Sequence, residues 1–120
     1  MAISDFHLEE YLRKRPGELP YGRRRLVAIA RCVATGAQVL ALDEPAAGLA
    51  QSEVEELCEL INQLSRRWGM GILVIEHNVE MVMSLCDRVY ALNFGKVMSS
   101  GTPEEVRGDP EVISAYLGSD

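Results

Sequence analysis

Apolar residues recur at three- and four-residue spacing in two long stretches of the chain, which predicts two amphipathic helices. The first stretch begins at Tyr21 and ends near Gly36, and its apolar positions are Leu26, Ile29, Ala30 and Val33. The second begins at Ser52, which with Glu55 forms the pattern of a capping box, and ends near Trp68. Its apolar positions are Val54, Leu57, Leu60, Ile61 and Leu64.

Two short segments are apolar without alternation, Val39–Leu42 and Ile72–Ile75. Such segments are typical of strands that are buried on both faces of a parallel sheet. Because these strands alternate with the helices, the sequence predicts an α/β fold with helices flanking a parallel sheet.

The rest of the chain has shorter elements. The first twenty residues are polar and rich in turn formers, which argues against a continuous helix there. A helix is predicted at 79–85, followed by a hairpin of strands 88–92 and 96–99 around Asn93-Phe94-Gly95. Thr102 with Pro103 predicts a helix start, and a last short helix is predicted after Asp109-Pro110.

Composition and charge exclude several classes of protein. The net charge of −6 argues against a general affinity for nucleic acid, so the arginines at 13–15 and 23–25 are interpreted as solvated helix faces. No segment approaches the roughly 18 apolar residues of a membrane span, and the N-terminus lacks the pattern of a signal peptide. A cytoplasmic location is therefore expected.

The wide spacing of the three cysteines predicts reduced, buried thiols at Cys32, Cys58 and Cys86.

Polar side chains follow both predicted strands where each one ends. Asp43 and Glu44 come after the first strand, and His77 follows the second. If the strands are neighbours, these groups converge at the edge of the sheet where α/β proteins bind ligands. Asp43 could hold Mg²⁺ through water, Glu44 could polarise an attacking water, and His77 could donate to a phosphoryl oxygen. Each residue alone is common in loops, so their conjunction carries the hypothesis.

The segment from Leu19 to Arg31 resembles a motif of the ATP-binding domain of ABC transporters. Leu19-Pro20-Tyr21-Gly22-Arg23 aligns without gaps on the family signature Leu-Ser-Gly-Gly-Gln, and the predicted helix follows it. The resemblance implies that these five residues contact ATP held by the opposite subunit.

Further motifs of the same family follow in the same order. Leu40–Pro45 resembles the Walker B strand, which implies that Asp43 is linked to Mg²⁺ and that Glu44 is the catalytic carboxylate. Ala47, Gly48 and Leu49 fall on the D-loop, His77 falls on the switch histidine, and 86–106 resembles the closing hairpin and helix. The implied fold is a partial P-loop NTPase-like parallel sheet with a small C-terminal hairpin. Residues 1–18 are then a polar remnant of the helical subdomain, and residues 19–120 are the C-terminal part of the ATPase domain.

Within that family the chain is most similar to the ATPase subunits of branched-chain amino-acid importers. The Tyr-Gly signature, Asp-Glu-Pro-Ala-Ala-Gly and Glu-His-Asn carry this similarity. It implies ATP and Mg²⁺ as cofactors, and membrane permease subunits and a second ATPase subunit as partners. It also implies a peripheral position at the inner face of the membrane.

Three departures from the family pattern bear on activity. Pro20 replaces the usual Ser and Tyr21 a Gly, so the grip on a γ-phosphate is reduced because proline has neither an N–H nor a hydroxyl. Ala50 replaces the D-loop aspartate, which affects coupling between subunits. No Gly-x-x-x-x-Gly-Lys-Ser/Thr occurs in these 120 residues, and without that phosphate loop the chain alone is expected to be inactive.

Alternatives remain open at this point. The chain could belong to another ABC ATPase, either an exporter of lipid, lipopolysaccharide or drugs or a soluble protein. It could also be a binding or assembly module that does not hydrolyse ATP. In the parent fold the phosphate-loop strand lies in the same sheet as the two predicted strands. A sheet without it would expose an apolar edge, which predicts self-association of this chain.

Overall fold

The computed structural model describes residues 8–117. Residues 1–7 of the predicted N-terminal segment and residues 118–120 of the predicted ATPase part lie outside this range. The described chain divides between Ile75 and Glu76 into two compact units.

The first unit contains a parallel pair of strands and two long helices. Two short 3-10 turns, Glu9–Tyr11 and Pro16–Glu18, precede the regular elements. These elements are α1 (Tyr21–Ala34), β1 (Val39–Asp43), α2 (Gln51–Arg66) and β2 (Gly71–Ile75). All four were predicted from the hydrophobic pattern. No continuous helix was predicted in the first twenty residues, and in residues 8–20 the chain forms short 3-10 turns.

The strands β1 and β2 pair in parallel, with Val39 opposite Gly71 and Asp43 opposite Ile75. This pairing confirms that the two apolar segments are neighbours. Helix α2 contacts β2, and its buried residues are the five predicted ones. The core of the unit also includes Leu26, Ile29 and Val33 of α1 and Leu40 and Leu42 of β1. Of the predicted α1 face, Ala30 is half-buried.

The expectation that both strands are buried on two faces is wrong. Exposure alternates along β1, because successive side chains point to opposite faces of the sheet. One face carries the buried Leu40 and Leu42, whereas Val39 is 68% exposed on the other. In β2, Leu73 and Ile75 are 58% and 54% exposed. No element of the described chain buries these side chains, so the sheet has one uncovered apolar face.

The start of α2 also differs from the prediction. The helix begins at Gln51, so Ser52 lies inside its first turn and Ala50 is the N-cap residue. Glu53 accepts a hydrogen bond from the Ala50 N–H at 3.0 Å, which is one half of a capping box. The other half is impossible because an alanine side chain has no acceptor.

The second unit is smaller and consists of short helices around a hairpin. Its elements are α3 (Val79–Leu85), β3 (Val89–Asn93), β4 (Lys96–Gly101), α4 (Pro103–Arg107), α5 (Pro110–Val112) and a π-helical turn (Ile113–Leu117). The strands β3 and β4 are antiparallel, as predicted, and Gly95 has a φ of 77° in the turn between them. Its core residues are Met81, Val89, Ala91, Val106 and Val112.

The cysteines are less buried than the sequence predicted. Cys32 is exposed on α1, and Cys58 and Cys86 are only half-buried. Cys32 directly precedes the buried Val33, so the helical period places it off the apolar face.

Within residues 8–117, no helix has the length and apolar character needed to cross a membrane.

Thr102 and Glu105 form a complete capping box at the start of α4. The Thr102 N–H donates to Glu105 Oε1 at 2.9 Å, and this bond lowers the pKa of Glu105 below its ordinary value of 4.5. A carboxylate with a lowered pKa stabilises the fold above its unfolded-state pKa and loses that effect as the pH falls through the folded-state pKa.

We therefore expect the start of α4 to loosen on acidification below pH about 4.5, and not on the alkaline side. The amide resonance of Thr102, followed by NMR through an acid titration, measures this. A Glu105→Gln variant keeps an acceptor but does not titrate, so its Thr102 amide should not show this transition. An identical transition in the variant would contradict the assignment.

Candidate functional site

Asp43 and Glu44 lie where β1 ends, beside the end of β2. Asp43 is the last residue of the ladder and is paired with Ile75, and its side chain is exposed. The Glu44 N–H donates to the carbonyl of Ile75 at 2.7 Å. Glu44 has a φ of 48°, a left-handed conformation that is uncommon for a residue with a side chain and ends the strand sharply. Two exposed carboxylates therefore occupy the rim of the parallel pair, as predicted from the sequence.

The loop after Glu44 consists of tight turns that contain the predicted D-loop positions. The Ala47 N–H donates to the carbonyl of Glu44 at 3.2 Å, and the Leu49 N–H donates to the carbonyl of Ala46 at 3.1 Å. Gly48 between them has a φ of 77°, which suits glycine. This loop connects the carboxylate rim directly to the start of α2.

The signature segment forms the N-terminus of α1. Leu19 is buried, and Pro20 is the N-cap residue, whose carbonyl accepts from the N–H groups of Arg23 and Arg24 at 3.0 and 3.1 Å. Pro20 supplies no side-chain cap. Helix N-termini favour anions because their first N–H groups point outward, so the first turn of α1 can still face a phosphate.

Four residues of the first two turns of α1 contact the loop after β1 or the start of α2. The ring of Tyr21 packs on Gly48, where an added Cβ would lie 3.2 Å from Cε1 of the ring. Gly22 lies so close to the Glu53 carboxylate that a side chain at Gly22 would displace it. Arg23 pairs with Glu56, and Arg25 donates to the carbonyls of Glu44 and Pro45. The hydrogen bond to Glu56 raises the pKa of Arg23 above its ordinary value.

His77 is the second residue after β2 and is exposed. Its backbone N–H donates to Glu76 Oε1 at 3.2 Å, and the next residue, Asn78, caps α3 by accepting from the Met81 N–H at 3.2 Å. Because His77 belongs to the second unit, its approach to Asp43 and Glu44 stays a prediction.

The carboxylate rim has the chemistry of a shared magnesium site. Across residues 8–117, no three His, Cys, Asp or Glu side chains gather to hold a metal ion. Magnesium in proteins commonly uses one or two carboxylates and takes its other ligands from water and substrate phosphates. The Asp43 carboxylate is exposed and forms no hydrogen bond or ion pair in the described part of the chain, so it fits that role.

The sequence alone did not reveal the residues that hold the signature turn in place. Tyr21 and Arg25 stand four residues apart on α1, a spacing that brings side chains together on a helix and was a usable signal. Glu53 and Glu56 also contact this turn. Their contacts with α1 depend on how the two helices pack, which the sequence pattern does not encode.

Ala50→Asp should raise the free energy of unfolding by about 1 kcal/mol, because the new carboxylate would complete the capping box with Glu53. Chemical denaturation of the two proteins measures the difference. Gln51→Asp is the matched control, since it adds the same charge one position later and should gain only a few tenths of a kcal/mol. Equal stabilisation by both variants would show that charge, and not capping, is responsible.

Two family descriptions and several known proteins match this chain. The family description "ABC transporter" matches residues 1–47, and "Branched-chain amino acid ATP-binding cassette transporter" matches residues 96–120. The high-affinity branched-chain amino acid transport ATP-binding protein LivG of Salmonella typhimurium is 47% identical over 111 residues, which are 92% of this chain and 44% of LivG. BraF of Pseudomonas aeruginosa, with the same description, is 41% identical over 97% of this chain and 46% of its own length.

An export protein and solved structures are also similar. The lipopolysaccharide export system ATP-binding protein LptB of Haemophilus influenzae is 38% identical over 97% of this chain and 48% of its own length. The ADP conformation of MJ1267, an ATP-binding cassette of an ABC transporter, superposes with a TM-score of 0.87 at 29% identity. That match covers 98% of this chain and 48% of MJ1267. The chain thus spans about half the length of the relatives it matches.

The fold, the order of the motifs and these matches define the class: the chain is part of an ABC transporter ATP-binding domain, with the P-loop NTPase fold of that family. Within the family, it is homologous to the branched-chain amino-acid transport ATP-binding proteins LivG and BraF. Both statements confirm the resemblance seen in the sequence.

Proposed function

We propose that this chain is the half of an ABC ATPase subunit that carries the catalytic carboxylate, and that it hydrolyses ATP when the half carrying the phosphate loop is joined to it. The observation that carries the proposal is the rim formed by Asp43 and Glu44. Both carboxylates are exposed at the end of β1, and a hydrogen bond from the Glu44 backbone ties them to the end of β2.

In the complete domain each of three residues would have its own task. Asp43 would hold Mg²⁺ through its water shell, and the metal would supply charge neutralisation for the phosphates. Glu44 would accept a proton from the attacking water, and His77 would donate a hydrogen bond to a phosphoryl oxygen. Leu19, Pro20, Tyr21, Gly22 and Arg23 contact the ATP of the opposite subunit, beside Ala47, Gly48 and Leu49 of the D-loop.

Branched-chain amino-acid import is the transport process we propose. The family description that matches residues 96–120 and the names of LivG and BraF support it. The partners are then membrane permease subunits and a second ATPase subunit, and the chain works at the cytoplasmic face of the membrane. Lipopolysaccharide export is the second candidate, favoured by the similarity to LptB. Neighbouring genes for permeases and an amino-acid binding protein would separate the two.

ATP turnover by a reconstituted domain tests the hydrolase proposal. The reconstituted domain is this chain mixed with a polypeptide that supplies the phosphate-loop half of an ABC ATP-binding domain. We expect magnesium-dependent turnover from the mixture. The chain alone should show no more turnover than its own Glu44→Gln variant. Turnover by the chain alone would overturn the requirement for a second half. Absence of turnover from a mixture shown to associate would favour a binding or assembly module.

Self-association of the chain alone follows from its uncovered sheet face. Val39, Leu73 and Ile75 are more than half exposed on the strands of the parallel pair. Covering apolar surface of this kind with a second copy removes it from water and so lowers the free energy. Sedimentation at increasing concentration should show dimers or larger species, and Leu73→Lys should reduce them. A monodisperse monomer at high concentration would contradict this expectation.

A further inference from the structure

We propose that Tyr21 and Arg25 are positioning residues that hold the loop 44–48, which carries the catalytic carboxylate, against the first turn of α1. We call this pair the Tyr21–Arg25 clamp. The inference rests on the proposed function, because it assigns a role to the position of Glu44.

The Arg25 guanidinium reaches three acceptors at once. Its Nη1 donates to the carbonyl of Glu44 at 3.3 Å and also to the carbonyl of Pro45. Its Nη2 donates to the hydroxyl oxygen of Tyr21, and the guanidinium carbon lies 5.1 Å from the centroid of the Tyr21 ring. The planar guanidinium has donors directed to both sides, so one side chain joins the helix to the loop.

Tyr21 contacts the other end of the loop 44–48. Its ring packs on Gly48, whose φ of 77° and lack of a side chain allow the close approach. Arg25 thus holds the start of the loop and Tyr21 holds its end. A glycine at position 21, the residue common in the family signature, could make neither the ring contact nor the hydrogen bond.

The conformation of Glu44 shows what the clamp has to maintain. A φ of 48° is costly for a residue with a side chain and persists only where its surroundings fix it. Three hydrogen bonds hold the Glu44 backbone: its N–H donates to the carbonyl of Ile75, and its carbonyl accepts from the Ala47 N–H and from the Arg25 side chain. Of these three bonds, only the one from Arg25 comes from α1.

The clamp therefore links two parts of the catalytic machinery that serve different ATP molecules. The first turn of α1 faces the ATP of the opposite subunit in the proposed dimer, whereas Glu44 acts on the ATP of its own subunit. Because Tyr21 and Arg25 join these segments, a shift of the signature turn on binding one ATP would be transmitted to the carboxylate that cleaves the other.

Hydrogen exchange on the whole chain tests the clamp without ATP. Arg25→Lys cannot span the three acceptors, so the amides of Ala47 and Leu49 should exchange about fivefold faster or more. Tyr21→Phe keeps the ring on Gly48 and should give a smaller increase at the same amides. Arg24→Lys is the matched control, because exposed Arg24 donates to the carbonyl of Gly17 at 3.4 Å and its side chain forms no bond to the loop 44–48. It should leave the loop amides unchanged.

The pattern of exchange separates positioning from a general loss of stability. Amides in the buried part of α2, such as those of Leu60 and Leu64, should keep their rates in Arg25→Lys. Faster exchange throughout α2 to the same degree would mean that Arg25 only stabilises the fold. Loop amides that exchange alike in Arg25→Lys and Arg24→Lys would overturn the clamp.

Turnover by the reconstituted domain tests the link to catalysis. Arg25→Lys should lower kcat about tenfold with the KM for ATP unchanged, because it displaces Glu44 and not the nucleotide. If Glu44→Gln abolishes turnover but Arg25→Lys leaves kcat intact, the positioning role is overturned and the hydrolase proposal stands. If no mixture hydrolyses ATP, the hydrolase proposal and the catalytic role of the clamp both fail, and the exchange rates still decide whether the clamp exists.

Discussion

Replacing Glu44 by Gln is expected to lower ATP turnover by the reconstituted domain at least about 100-fold. Glutamine has nearly the same shape as glutamate but cannot accept the proton of an attacking water at neutral pH. Glu44 is exposed at the end of β1, where water can reach it. ATP binding should be retained, because Asp43 and the phosphate loop are unchanged.

The control for this substitution is Glu55→Gln, an exposed glutamate on the first turns of α2 that removes the same charge away from the rim. Its turnover should match that of the unmodified chain. Phosphate release under saturating magnesium-ATP and equilibrium binding of a fluorescent ATP analogue measure the two quantities separately. Turnover by Glu44→Gln within tenfold of the unmodified domain would mean that another group activates the water.

Leu57→Ala is expected to lower the free energy of unfolding by about 3 kcal/mol. Leu57 is 1% exposed in the middle of α2, so truncation removes buried methyl groups and leaves a cavity. The free energy of unfolding of a small domain is only about 5–15 kcal/mol. The parallel pair of this chain is covered on one face, so the expected loss is a large fraction of the total stability. Chemical denaturation followed by circular dichroism measures it.

Leu73→Ala is the matched control, because it makes the same chemical change on β2 where the side chain is 58% exposed. The expected loss is below about 1 kcal/mol, since little apolar surface returns to water. Denaturation at low protein concentration keeps self-association out of the comparison. Equal losses in the two variants would mean that the uncovered face of the sheet is buried in solution.

The regular elements were predictable because their signals are local. The five apolar positions of α2 repeat with the helical period, and all five are buried. The parallel pairing of β1 with β2 followed from two apolar segments separated by a helix, and it brought Asp43 to the end of β2. Thr102 with Pro103 marked the start of α4 because capping depends on residues adjacent in sequence.

The errors arose where distant parts of the chain decide the outcome. Uniformly apolar strands predicted burial on two faces, but a strand is buried only where another element covers it, and Val39 and Leu73 have no such cover in the described chain. The capping box was predicted at Ser52 because the Ser-Glu spacing fits, whereas the turn that ends at Gly48 lets the helix begin at Gln51. The contacts of Arg25 with backbone carbonyls 19 and 20 residues away have no sequence signature at all.

The proposed function predicts that the His77 imidazole lies near a divalent metal held at Asp43, and paramagnetic relaxation measures this central prediction most directly. Mn²⁺ with ATP in the reconstituted domain should strongly broaden the ring resonances of His77, and Asp43→Asn should relieve the broadening. The chain has two histidines, so a His77→Asn variant assigns the signal. Sharp His77 resonances in a domain that binds Mn-ATP through Asp43 would show that the imidazole lies away from the carboxylate rim and would contradict the claim.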